Sequence, residues 1–183
     1  MNRIKVLIIA LLPLFGFSQK MKVQTAWRAL NDYDATVKNG KPDISYLDKA
    51  NEAIDLAIQH EDTKKQGKVY AYKARIMYGY YQNKLVQEMA KLEATEPDKK
   101  KRMDLAYGNV PTDDYVAAND ALDKIQTVDP DYMKMIQDGL MTGTSSLSSD
   151  DMKFLATASL MKMEAGNIAN GQYAAGKDGE AAD

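Results

Sequence analysis

Few residues in this chain have the type and spacing to carry chemistry, and each can be weighed on its own. His60 is the sole histidine, in Gln59-His60-Glu61-Asp62. A lone imidazole cannot build a histidine–carboxylate metal site without distant partners, and a basic group near a helix end is ordinary charge placement. Ser159-Leu160-Met161-Lys162 has the S-x-x-K spacing of an activated serine, yet it falls inside a helical pattern and lacks the companion K-T-G segment. The acidic pairs Asp113-Asp114 and Asp150-Asp151 stand where helices should start; they serve as caps, without the alternating oxygens and glycine of a calcium loop. The basic run Lys99 to Arg102 is flanked by Glu93, Glu96, Asp98 and Asp104, and reads as a solvated face. There is no cysteine, which removes disulfides, thiol catalysis, cysteine-held zinc and lipid attachment through cysteine. No cofactor, metal or catalytic set emerges, and the reading is of a protein that is not an enzyme.

Eleven tyrosines against three phenylalanines point to half-buried positions whose hydroxyls need polar partners. Most belong to helix packing, and a minority could line a groove. The eleven methionines are core filler, with Met133 and Met135 as candidates for an adaptable surface. The net charge is −2, near −4 without Arg3 and Lys5, which argues against a nucleic-acid surface.

The elements that must position these residues are helices. Residues 1–18 read as a secretory signal peptide: Arg3 and Lys5, then apolar Val6 to Phe17, then Gly16 and Ser18 before a cut at Ser18–Gln19. Twelve apolar residues interrupted by Pro13 fall short of the ~20 needed for a membrane span. An exported chain, periplasmic or secreted, with no transmembrane segment after cleavage, is the expectation. Residues 19–183 should then form one all-α domain. A first helix is expected from about Lys20 to Val37, ended by Asn39-Gly40 and Pro42. In the second, Leu47, Ala50, Ile54, Ala57 and Ile58 follow three-and-four spacing behind a cap at Asp43 or Ser45. The third should run from near Thr63 to about Ala94 with two apolar rows, one of Val69, Tyr70, Ala74, Met77 and Tyr81, the other of Tyr72, Ile76 and Tyr80. A helix apolar on two rows must be covered from two sides. Ala106 to Pro111 is turn-rich; a helix follows from Thr112 to Asp129-Pro130, then a short one around Tyr132 to Ile136, a flexible connector over Gly139 to Ser149, and a last helix from Ser149 or Asp150 to about Ala175.

Helix pairs with small and aromatic residues at fixed offsets resemble tetratricopeptide (TPR) repeats. Three diverged copies fit, at approximately 24–62, 67–130 and 152–183. The first carries Trp27-x-x-Leu30 on helix A, with Asn31 and Asp34 in place of the family's glycine and tyrosine, and Ala50, Ile54 and Ala57 on helix B. The second has Tyr70, Ala74 and Met77, with Ala118, Leu122, Ile125 and Pro130 after an insertion around 87–111; the third has Asn170, Tyr173 and Ala182. The resemblance implies a short α-solenoid of antiparallel helix pairs whose last repeat is incomplete. It further implies a non-enzymatic protein- or peptide-binding scaffold of the bacterial cell envelope, with a concave face built from A helices. Matching places on that face are Arg28, Asp32, Lys68, Arg75, Tyr78, Glu164 and Asn167. Arg75, placed on an open side, should then accept Arg75→Glu at a cost below ~0.5 kcal/mol. The alternative is a glycan-binding helical protein of the periplasm or cell surface, using exposed tyrosine faces; an enzyme site within Gln87 to Pro111 has no catalytic set behind it.

Overall fold

The computed structural model describes residues 2–142 and 147–176, with side chains from Lys20 onward. The expected leader and the tail after Gly176 thus lie largely outside the described side chains. Among the described residues the secondary structure is helical throughout: α1 (Asn2–Lys38), α2 (Ile44–Ile58), α3 (Gly67–Leu92), α4 (Lys99–Asn109), α5 (Asp113–Val128), α6 (Pro130–Thr142) and α7 (Ser149–Ala174). The all-α expectation holds.

Local chemistry sets most helix ends. Gly40 takes φ +70°, the left-handed conformation that a glycine adopts without a side-chain penalty, and α1 stops there. Asp43 caps α2, accepting from Ser45 N at 3.0 Å. Ser148 and Asp151 form a reciprocal capping box at the start of α7. The start of α3 is set at a distance instead. The Thr63 hydroxyl turns back to the Ala57 carbonyl and holds the polar break closed. Asp129, at the end of α5, accepts from Gly67 N at 2.7 Å and so caps α3, four residues later than the sequence pattern indicates.

Two corrections concern the turn-rich stretches. Residues 99–109 form a helix, capped by Asp98 through Lys101 N at 2.9 Å. Gly108, which makes that stretch resemble a turn, is a contact residue. A Cβ on Gly171 of α7 would lie 2.6 Å from Tyr107 Cβ and 2.7 Å from Gly108 N, so α4 and α7 touch backbone to backbone through the two glycines. Similarly, α6 continues past Ile136 because Gly139 is buried beneath Leu147, whose Cγ would be 2.6 Å from a Cβ there. Residues 143–146 of the expected connector lie outside the described residues.

The pairs α1/α2 and α3/α5 pack side by side, α2 lies against α3, and α6 rests on α5 and α3. The last helix, α7, has α4 packed along it, so it is covered on that side. The centre of the core is α3. Both of its apolar rows are covered, and Arg75, Tyr78 and Gly79 between them are buried as well. Contacts along α3 occur in matching order on both neighbours. Tyr72 meets Asp150, Arg75 meets Asp34, which also binds Lys153, and Gln82 meets Glu164. Hence α3 and α7 run in the same direction. Tyr33 and Asp34 of α1 face Asn83 and Arg75 in the same trough.

The helix contact through glycine predicts opposite outcomes for two substitutions in α7. Gly171→Val should destabilise by ~2 kcal/mol or more, because neither α4 nor α7 backbone can move aside cheaply. Gly166 has nothing within 4 Å of a built Cβ, and Gly166→Ala should stabilise by about 0.5–1 kcal/mol through helix propensity alone. Thermal unfolding of both variants checks the pair.

Candidate ligand-binding trough

A trough lies between α1, α3 and α7, with two cavities along it. The larger, about 520 Å³, is lined by Leu30, Val37, Tyr78, Gln82, Ala156 and Leu160, among others. The smaller, about 260 Å³, is lined chiefly by Val23, Trp27, Lys68, Tyr72 and Asp150, which precede the larger cavity's residues on the same three helices. A charged bar stands where they meet. Arg75 Nη2 donates to Asp34 Oδ2 at 3.0 Å, and Lys153 Nζ reaches the same oxygen at 2.7 Å and Asn31 Oδ1 at 2.6 Å.

The sequence accounts for each member of the bar. Asp34 sits on the face that α1 buries with Leu30 and Tyr33, at the place where the repeat pattern has an aromatic. Arg75 lies between the two apolar rows of α3, and Lys153 follows the capping turn of α7. The Arg75 side chain is only 6% exposed, whereas those of Asp34 and Lys153 are 26% and 32% exposed. Two cations share one carboxylate, so the bar carries an excess positive charge. Two buried donors in the trough have no hydrogen-bond acceptor: Arg75 Nη1 and Trp27 Nε1. In folded proteins such orphans are few.

Of the residues expected on a concave face, the structure brings some together and scatters the rest. Tyr78 and Arg75 line the larger cavity, although both are buried rather than open. Lys68 lines the smaller one, 3.8 Å from Asp150 and 5.8 Å from the centre of the Tyr72 ring. Glu164 accepts from Gln82 at 2.8 Å and from the Tyr107 hydroxyl at 3.3 Å, tying α7 to α3 and α4. Arg28, Asp32 and Asn167 are exposed and line neither cavity. The expectation of an open surface at Arg75 is therefore corrected. Arg75→Glu would set a buried carboxylate against Asp34, a change in the strongly destabilising class. Trp27, Asn31 and Asp34 were expected only as repeat-pattern positions on the first helix, and Lys153 was not singled out. The available signal was a polar Asp34 interrupting an apolar helix face.

Tyrosine–carboxylate contacts hold α7 in place. Tyr72 donates to Asp150 at 3.2 Å and Tyr132 to Asp151 at 2.8 Å, so the acidic pair at the start of α7 anchors as well as caps. Burial, reinforced by these carboxylates, pushes both phenols well above the usual tyrosine range. Tyr78 is raised by burial and then by Glu164, and Tyr81 by burial first. Ser159 and Lys162 are both exposed on α7, and His60 Nδ1 accepts from Asp62 N at 3.3 Å. Among the described residues no group of three histidines or carboxylates could hold a metal ion, and no helix is long and apolar enough to cross a membrane. Comparison with known families, curated proteins and solved structures finds no match for this chain.

The bar and the phenols each yield a measurable consequence. Asp34→Ala strands the Arg75 guanidinium and should cost about 2–3 kcal/mol, somewhat below the penalty for a fully buried pair. Lys153→Ala, which leaves Arg75 and Asp34 paired, should cost less than ~1 kcal/mol; chemical denaturation distinguishes the two. In the unfolded chain the tyrosines ionise near pH ~10, but in the fold they keep their protons to higher pH. Their contribution is therefore complete below pH ~10 and is lost as the pH rises above it, where the unfolded chain binds fewer protons. An alkaline titration followed by circular dichroism and phenolate absorbance should show unfolding and a cooperative burst of tyrosine ionisation together.

Proposed function

We propose that this chain is a non-enzymatic binding module of the bacterial cell envelope that holds a segment of a partner protein in the trough between α1, α3 and α7. The observation that carries this reading is the position of the trough. It lies between the three helices that the tetratricopeptide resemblance designates as A helices, and the family's ligands sit on that face. The side-by-side packing of α1 with α2, α3 with α5 and α4 with α7 supports this reading. The apparent leader over residues 1–18 supports export. Both cavities are open to solvent, so a bound segment could bury apolar side chains while its outer backbone groups remain hydrated.

The glycan-binding alternative depends on exposed tyrosine faces. Among the described tyrosines only Tyr173 is largely exposed, at 75%, and it stands apart from both cavities. The trough reading is therefore preferred.

Site-specific photo-crosslinking in the native envelope tests it. A crosslinker at Val37 or Leu160, on the rim of the larger cavity, should yield a discrete protein adduct. The same group at Leu56 or Val116, exposed on α2 and α5, should not. Equal labelling from all four positions, or adducts to polysaccharide alone, would reject the trough as a protein site.

A further inference from the structure

We infer that the trough selects an acidic protein segment, seating a side-chain carboxylate, flanked by apolar residues, beside Lys153 and the Arg75–Asp34 pair. This deepens the protein-binding reading above and rests on it.

Three observations converge on this ligand chemistry. The first is the buried cation. Arg75 is more than nine-tenths buried, lines the larger cavity, and has Asp34 as its one charged partner through Nη2. A guanidinium held in an apolar wall attracts an incoming carboxylate more strongly than one in water does. The second is charge. Arg75 and Lys153 face Asp34 alone at the bar, and Lys38 adds a further cation on the cavity lining. One added carboxylate brings the bar to neutrality. The third is the setting. Leu30, Val37, Ala156 and Leu160 form an apolar lining beside the bar, so the acid should stand next to apolar side chains.

The test is calorimetric titration of the full chain with four probes: a capped, leucine-rich heptapeptide with one central glutamate; the same peptide with glutamine; the glutamine peptide with a free C-terminal carboxylate; and decanoate. The glutamate peptide should bind about tenfold more tightly than the glutamine peptide, the value of one charge-assisted contact. Lys153→Met and Arg75→Lys should each reduce that ratio several-fold. Thermal melts establish that the variants are folded.

Equal binding of both capped peptides, abolished by Leu160→Arg, would overturn acid selection and leave the trough as a peptide site. No binding of either would overturn both. Tighter binding of the free C-terminus or of decanoate than of the glutamate peptide would reassign the carboxylate to a chain end or a lipid, and overturn the inference. Persistence of the full tenfold ratio in both Lys153→Met and Arg75→Lys would do the same.

Discussion

The arrangement of this protein depends on matching donors on one helix to carboxylates on the others. Between Gly67 and Gln87, α3 contains no acidic residue, yet it carries Lys68, Tyr72, Lys73, Arg75, Tyr80, Gln82 and Lys84. Most of their carboxylates come from outside the helix. Asp34 of α1 takes Arg75, Asp48 and Asp55 of α2 take Tyr80 and Lys73, Asp114 of α5 takes Lys84, and Asp150 and Glu164 of α7 take Tyr72 and Gln82. Apolar burial draws the helices onto α3 without fixing their rotation or register, because hydrophobic attraction is non-directional. The polar pairs supply direction. Each is modest alone, but a helix slid by one turn would lose several at once and leave buried donors unmet.

Small residues fix how closely the helices can approach once they are in register. Leu47 of α2 lies over Gly79, where a Cβ would stand 3.1 Å from its methyl groups, and the Tyr132 ring occupies the space above Gly67. Gly108 and Gly171 bring α4 and α7 together in the same way. The polar pairs and the glycines therefore have different roles: the pairs set register around α3, and the glycines set distance. The α4/α7 contact illustrates why both are needed. It gives α7 a neighbour along one side, while Asp150, Asp151, Lys153 and Glu164 orient its other side toward α1, α3 and α6.

How far this was legible in the sequence depends on whether a feature is local. Three-and-four spacing marks the apolar faces of α2 and α3, and Gly40, Asp43 and Ser148 end or cap helices through atoms within a few residues. Those features can be read directly. The start of α3 cannot, because its cap is Asp129, sixty-two residues away. Nor can α4, since a glycine that permits a helix contact looks the same in sequence as a glycine that permits a turn. The same limit applies to Arg75. Its place between two apolar rows was visible, but whether that strip faced water or another helix depended on where α7 packed. Of the residues assigned to a concave face, Arg75, Tyr78 and Lys68 line the trough, whereas Arg28, Asp32 and Asn167 are exposed outside its two cavities, a difference no local pattern marks.

The trough acquires its meaning from this matching rule. In a helix whose cations are met by acids from its neighbours, two cations sharing one carboxylate stand out. Arg75 has two guanidinium edges and only one carboxylate beside it, and Lys153 spends its charge on that same carboxylate. Packing alone does not require this composition: an apolar residue in place of Arg75 would remove both the desolvation cost and the need for Asp34. What a buried arginine can do, and an apolar side chain cannot, is present a rigid, permanently charged donor pair from within an apolar wall. Asp34 then holds one edge in place, and the bar keeps a net positive charge on the cavity lining. On this argument the bar is both the joint that aligns α1, α3 and α7 and the polar floor of the groove they enclose.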